Sequence, residues 1–421
     1  MEPILLTRPG SADPQPLADY QGEGGYEALS AAVKRLPEHL LSTIERSGLR
    51  GRGGAGFPVG QKWRLAASEA ETQKYVVANG GEDEPGSAKD RVLMESYPHR
   101  VLEGVILAAY AIGAHEAVLY VNSLYDHATA MLDRAITEAS AAGFLGARVA
   151  GSAFNLAVRI QSAPQEYVAG EDSAVLEVIE GGPPLPREKP PFPTSAGLHG
   201  KPTVVNNIET FAFIPTIVRR GPDWFRGQGT ADNPGTMLFT LPSNVRSPGV
   251  VELPIGISLR VLIEDYGGGL ASGKAIKAVL PGGPSSAFIG GTDLDVAMDR
   301  QPLAALGSAL GCGILRIIEA GECLVEVVDG IAHFFQKESC GQCPICQMET
   351  QALARITAQV RDGQGSQQML DQIPKLGAFA RGKGFCGLIS MPIPPLTSAI
   401  RLFPEDFAYH IEHGHCPASE G

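Results

Sequence analysis

The spacing of apolar residues changes period several times along this chain, and the changes divide it. Tyr26–Arg35 carries apolar positions at helical spacing. Pro37 can open a second helix that stops near Gly48, because proline at a first helical position gives up only an N–H with no intrahelical partner. A dense glycine run follows, and beyond it short β-rich segments alternate with helical ones. Tyr75–Ala78 reads as a buried strand, Ala117–Val121 and Ala157–Gln161 as further strands, and Val101–Gly113 and Asp126–Ala142 as helices. Such alternation implies an α/β fold, a largely parallel sheet with helices packed on it. Between Gly182 and Pro202 the chain turns proline-rich, which predicts a rigid extended segment suited to crossing the mouth of a cleft. From Thr236 the pattern shortens to strands separated by turn residues: Leu238–Leu241, Val250–Leu253, Ala278–Leu280 and Leu324–Val328. After Phe334 helical spacing returns around four cysteines and ends in the amphipathic stretch Ala399–Glu412. The expected division is an N-terminal arm over 1–24, an α/β domain over 25–235, a small α+β domain over 236–333 and a helical domain over 334–421.

Composition narrows what these units do. A formal charge of −12 over 421 residues argues against nucleic acid, since phosphates are neutralised by clustered Lys and Arg. It leaves room for a dinucleotide, which needs only a few local donors. The count of 51 Gly and 32 Pro, set between apolar periodic segments, points to functional loops rather than disorder. Met1–Gly10 lacks the basic start and apolar core of a secretory signal, and no stretch approaches the roughly 20 apolar residues that span a bilayer. The expectation is a cytoplasmic protein without direct membrane insertion, peripheral to a membrane only through partner subunits.

Three of the seven cysteines fall within Cys340-Gly-Gln-Cys343-Pro-Ile-Cys346, and Cys386 follows. Three thiolates at this spacing can hold one face of a cubane cluster, with a distant fourth completing the set. Zinc is the rival, because four thiolates also suit it, although zinc sites more often pair two C-x2-C units. Cys312 and Cys323 read as small buried hydrophobes and Cys416 as incidental.

Gly51-Arg52-Gly53-Gly54-Ala55-Gly56 matches G-x-G-x-x-G, but a helical segment precedes it where a dinucleotide fingerprint requires a strand. A bare tight turn remains open. Yet glycines let backbone N–H groups close on an anion, and Arg52 and Lys62 add charge at the rim. Three later loops have the character of strand-end binding loops: Asn79–Gly86, Tyr167–Ser173 and Asn206–Thr210. Singly, each acidic loop reads as a solvated cap. Together they are expected to converge, because ligands of open α/β sheets lie at the carboxyl ends of strands.

In order, these four segments and the cysteine run resemble the flavoprotein subunit of respiratory complex I and its relatives, the diaphorase subunits of NAD-linked hydrogenases and formate dehydrogenases. The resemblance runs from about Gly25 to about His413. It is most specific at Ser47–Pro58 (S-G-L-R-G-R-G-G-A-G-F-P), at Glu338–Cys343 (E-S-C-G-Q-C) and at Ser398–Phe403 (S-A-I-R-L-F). It implies a Rossmann-like FMN and NADH domain, a ubiquitin-like middle domain and a helical bundle carrying one 4Fe–4S cluster on Cys340, Cys343, Cys346 and Cys386. FMN is then expected on Gly51, Arg52, Gly53, Gly54 and Lys62, with Asn79, Glu82, Tyr167, Gly170, Glu171, Asn206 and Asn207 around it. NADH is expected to stack above the flavin, with Phe57 and Phe192 at the adenine, Asp172 and Lys189 at the ribose and phosphates, and Glu84 at the nicotinamide end. Glu82 and Glu84 are the acidic residues expected beside the chemistry. The implied activity is hydride transfer from NADH to FMN, then single-electron transfer through the cluster to a thioredoxin-like 2Fe–2S subunit and further iron–sulfur subunits. Gly81, Leu65, Asp172, the Ala163–Glu166 run and Pro344 depart from the family pattern. A divergent paralogue that keeps the cluster but has lost or altered the flavin and NADH site, and serves as an electron relay or scaffold in a redox complex, is therefore the alternative.

Overall fold

The computed structural model describes residues 3–8 and 14–416. Residues 1–2 and 9–13 of the expected arm, and 417–421 of the expected helical domain, lie outside them. The chain gathers into two compact units, Met1–Phe239 with Val250–Gly256, and Thr240–Gly249 with Ile257–Gly421.

The first unit is built on four parallel strands, β1 (Tyr75–Gly80), β2 (Glu116–Asn122), β3 (Ala157–Ala163) and β4 (Thr203–Asn207), in the order β3-β2-β1-β4. Side chains alternate across a strand, so Val76 and Ala78 enter one core while Tyr75 and Val77 enter another on the opposite face. Both faces of β1, β2 and β4 are covered, whereas the edge strand β3 is exposed or half-buried until Ala163. The larger core holds the helices Pro98–Ile112 and Ile208–Arg220, which pack closely. A side-chain carbon at Gly104 would lie 2.0 Å from the carbonyl oxygen of Phe211, so only glycine permits that approach. The expected arm is partly structured. Leu17–Gly22 is helical, and the backbone N–H groups of Ile4, Leu5 and Leu6 donate to the Glu252 carboxylate at 2.8–2.9 Å.

In the second unit a three-stranded antiparallel sheet, β5 (Ile276–Leu280) flanked by β6 (Ile289–Gly290) and β7 (Arg316–Glu319), precedes a set of helices. The expected strand at Leu324–Val328 is instead the start of the helix Leu324–Glu338. Its β-branched run is short enough to suit either state, and the amphipathic continuation to Glu338, capped by Cys323, decides for helix. Ala399–Glu412 is likewise two helices, Ile393–Leu402 and Pro404–His413, because Pro404 starts the second at its first position.

Candidate flavin, nucleotide and cluster sites

The strand order places a topological switch between β1 and β4, since β2 and β3 lie to one side of β1 and β4 to the other. Three of the four loops meet there. Asn79 pairs with Asn207 across the two strands, the Asn207 amide donates to the Asn79 carbonyl at 3.3 Å, and the Asn79 amide donates to the Gly170 carbonyl at 2.9 Å. The glycine loop joins them. Its backbone closes through Gly51 N–H to the Phe57 carbonyl at 3.0 Å, and Arg52 N–H reaches the Thr210 hydroxyl at 2.9 Å. Gly54 and Gly56 take φ of +101° and +63°, which glycine alone adopts without penalty. A side-chain carbon at Gly53 would stand 3.0 Å from the Asn207 Cβ.

Arg52 does not face this opening. Its guanidinium is buried behind the loop, donating to the carbonyls of Arg50, Pro234 and Thr236 and lying over Phe213. The rim charge expected of it is absent, and the residue braces the loop instead. Lys62 remains, half-buried, its ammonium 3.0 Å from the Val205 carbonyl. Burial lowers its pKa, which Asp172 partly offsets.

Two acidic residues expected beside the flavin prove to be helix caps. Glu82 accepts from the N–H groups of Asp90 and Arg91 at 3.1 and 3.0 Å and from Ser87, closing the start of the helix Lys89–Ser96. Burial, aided by Asp90, raises its pKa. Glu171 caps Asp172–Ile179 through the N–H groups of Ser173 and Ala174 at 2.9 and 3.0 Å. Its other oxygen meets Lys189, which is also 2.5 Å from Asp172. Burial and the neighbouring Asp172 raise the Glu171 pKa. Asp172 is held low, burial being outweighed by its bonds to Glu171 and Lys189.

Glu84 differs from both. Its Oε1 is buried and has no hydrogen-bond partner, and burial, against a bond from Tyr167, pushes the carboxyl up to about 7. An orphaned buried acceptor beside the convergent loops is what a bound group with donors would satisfy. Phe57, Leu65 and Phe192 are exposed aromatic and aliphatic side chains, at 43%, 46% and 58%, and the turn after Phe192 packs on the helix Val59–Ser68. Flat apolar surfaces beside phosphate-grade backbone donors suit a stacked nucleotide.

Sequence reasoning passes over the groups beneath the site. The Lys89 ammonium is buried and contacts Asp90, Asn207 and Glu209 at 2.9, 3.1 and 3.0 Å. The Trp63 indole donates to Asn206 at 2.9 Å. Charges at a helix start look solvated in a sequence, so Lys89 and Asp90 give no signal. Trp63, one of two tryptophans and directly beside Lys62, could have been found.

In the second unit Cys343 caps the helix Pro344–Arg361, and Pro344 is its first residue, so the displaced proline costs no hydrogen bond. Cys346 lies in the first turn, its sulfur 3.6 Å from the Ser339 hydroxyl. Phe385 N–H donates to the Cys343 sulfur at 3.4 Å, which brings the Cys386 loop against the run. Four thiols thus share one end of the helix, whose dipole favours thiolate, although burial raises the Cys346 thiol. Cys323 and Cys416, by contrast, are not isolated: their sulfurs lie within 4.8 Å of each other and of a His410 ring nitrogen.

Comparison with known proteins gives a family to the regions that hold these residues. Residues 44–216 match the Nuo51 FMN-binding domain, and 326–410 match the NADH-ubiquinone oxidoreductase-F iron–sulfur binding region. The second F-type subunit of the NADH-quinone oxidoreductases of Rhizobium meliloti is 42% identical over 417 residues, 99% of either chain. The HndC subunit of the NADP-reducing hydrogenase of Solidesulfovibrio fructosivorans is 39% identical, over 97% of this chain and 83% of its own. The crystal structure of an NAD+-reducing [NiFe]-hydrogenase in its H2-reduced state superposes with a TM-score of 0.85 at 31% identity, covering 97% of this chain and 69% of that one. The chain therefore belongs to the NADH-quinone oxidoreductase-F family, flavoprotein oxidoreductase subunits with an FMN-binding domain and a 4Fe–4S region.

Proposed function

We propose that the loops at the β1/β4 switch point hold FMN and admit NADH above it, and that electrons leave through the cluster at Cys340, Cys343, Cys346 and Cys386. When bound, the flavin supplies the conversion of a two-electron donor to one-electron steps, and the cluster relays them. The residues do the rest. Gly51 closes the loop whose backbone at Gly53 and Gly54, with Lys62, takes the flavin phosphate, and Asn79, Gly170, Tyr167, Asn206 and Asn207 border its ring. Phe57 and Phe192 offer faces to the adenine, and Glu84 presents its unpartnered oxygen to the nicotinamide end. Asp172 and Lys189 meet the ribose. Glu82 and Glu171 act at one remove, fixing the helix starts that shape the pocket. The next acceptor is a thioredoxin-like 2Fe–2S subunit of a larger assembly, in keeping with relatives that are named as subunits of quinone oxidoreductases and hydrogenases. In that assembly the chain works in the cytoplasm, and among the described residues no helix is long and apolar enough to cross a membrane.

The observation that carries this reading is the orphaned Glu84 oxygen beside the convergent loops of Asn79, Gly170 and Asn207. The test is chromatography of heat-released flavin from anaerobically purified, iron-loaded protein. FMN is expected. Recovery of FAD, or of no flavin from a fully iron-loaded chain, would overturn the assignment and leave the relay.

A further inference from the structure

Cys323 opens the helix Leu324–Glu338, whose other end leads into the Cys340 run about 22 Å away at 1.5 Å per residue. The Cys323 sulfur accepts from Glu326 N–H at 3.5 Å and stands 3.2 Å from Nε2 of His410. On the other side of that ring, Nδ1 is 3.2 Å from the carbonyl oxygen of Arg361. A carbonyl only accepts, so Nδ1 carries the proton and Nε2 keeps its lone pair toward the sulfur. A histidine held this way by its second nitrogen is arranged as metal-ligating histidines are. Cys416 completes the group, all three ligand atoms lying within 4.8 Å of one another. Cys323 and His410 are buried at 9% and 2% exposure, and Cys416 is half-buried.

We propose that Cys323, His410 and Cys416 bind one zinc ion, separate from the iron–sulfur cluster, with a fourth position left to water or another donor. Two sulfurs and an imidazole are a soft to borderline set that disfavours calcium and magnesium. Zinc bonds of about 2.0–2.3 Å place tetrahedral ligand atoms under ~4 Å apart, so the group closes on the ion with small movements. Binding converts both thiols to thiolates and releases their two protons to solvent, with no change of oxidation state. The N-terminal end of the Leu324–Glu338 helix and the Glu326 N–H favour that charge at Cys323, against burial, which pushes the thiol up to about 11.

The position gives the ion a role. Leu324–Glu338 begins at this site, and Pro344–Arg361 ends at it through the Arg361 carbonyl. The opposite ends of the same two helices carry Cys340, Cys343 and Cys346. Zinc here pins the helix Pro404–His413 and the segment to Cys416 across the far ends of the cluster-bearing pair.

The test uses the full chain, purified anaerobically with its cluster and incubated with Zn²⁺ alone, then desalted against a competing chelator and measured for zinc, iron and sulfide. One zinc per chain is expected in addition to cluster iron. Cys416→Ser and His410→Gln should each weaken zinc retention by more than about tenfold, since loss of outer-shell support alone typically costs 10–100-fold. Cluster iron and sulfide should persist, and Cys386→Ala should lose cluster iron while keeping zinc. Cys416→Ser changes a half-buried residue outside the helices, so it reports even if variants of Cys323 fail to fold. Three results would overturn the proposal: no zinc bound by the reduced chain, zinc retention indifferent to both variants, or a Cys323–Cys416 disulfide in the anaerobic preparation, seen by peptide mapping.

Discussion

Replacing Glu84 by Gln removes a charge while keeping the shape and one acceptor oxygen, and the structure sets the size and sign of the effect. In the folded chain burial raises this carboxyl from 4.5 to about 7. Between those values the native state holds a proton that the unfolded chain has released. Its contribution to stability is therefore complete below pH 4.5, falls as pH rises through 7, and is absent above. A gap of about 2.5 pH units corresponds to at most ~3.4 kcal/mol at about 1.36 kcal/mol each. Although Oε1 is buried, the residue as a whole is only half-buried, so solvent screening reduces this to roughly 1–2 kcal/mol.

Glu84→Gln should then leave stability unchanged at pH 4.5 and raise it at pH 8, by roughly 2–6 °C in melting temperature. Trp63 and Trp224, the two tryptophans, both lie in the first unit, so intrinsic fluorescence follows the unit that contains the substitution. The same proton should appear in turnover. The parent's kcat/KM for NADH should inflect near pH 7, and the variant's profile should lose that inflection. Equal melting temperatures for parent and variant at pH 8, with the inflection retained, would refute the account of Glu84 as a buried carboxyl facing the nucleotide.

Cys386→Ala should strip iron from the cluster or convert it to a three-iron form, read from iron and sulfide content, while flavin content stays unchanged. Gly81→Asp should lower flavin content without affecting iron, because a side-chain carbon there would lie 2.8 Å from the Tyr120 ring; Tyr120→Val in the same chain should restore it. Asp172→Ala should narrow the NADH over NADPH preference, mostly by improving NADPH, because it removes a carboxylate and leaves Lys189 freer to meet a 2′-phosphate. Steady-state kinetics with both nucleotides would show this, and an unchanged ratio would dismiss Asp172 as a selector.

β1 and β2 were legible because both sheet faces are covered there, which turns each into an apolar run, and β3 by its place in the alternation with helices; β4, at the end of the proline-rich segment, was not read as a strand. The meeting of the loops was legible in outline for a related reason. Loops that end parallel strands carry residues whose local roles do not use up their chemistry, and Asn79, Asn206 and Asn207 stand out there. The second unit was less readable. β6 is two residues long and β7 four, too short to set a period, while Leu324–Val328 has strand-like residues in a helix whose start is fixed by a cap. Nor could spacing reveal Cys323, His410 and Cys416, since the chain between the first and second holds the whole cluster region.

Three of the expected site residues share one feature. Glu82, Glu171 and Arg52 have the residue types expected at an anionic cofactor's site, yet each is engaged by the chain's own backbone: two carboxylates by helix N–H groups, one guanidinium by three carbonyls. An orphan N–H at a helix start and an anion-binding loop ask for the same partners, so a sequence cannot say which demand a given residue meets. Hydrogen-bond accounting can. A carboxylate with both oxygens occupied has little left for a ligand, and removing it should damage folding before it damages binding. Glu84, with a buried oxygen left over, is the opposite case. The same accounting explains Gly81, where the space a side chain would need is filled by Tyr120, whose hydroxyl donates to the Ala169 carbonyl at 3.2 Å. The departure at 81 is matched by a neighbour within the fold, so it alters the wall of the pocket without opening it.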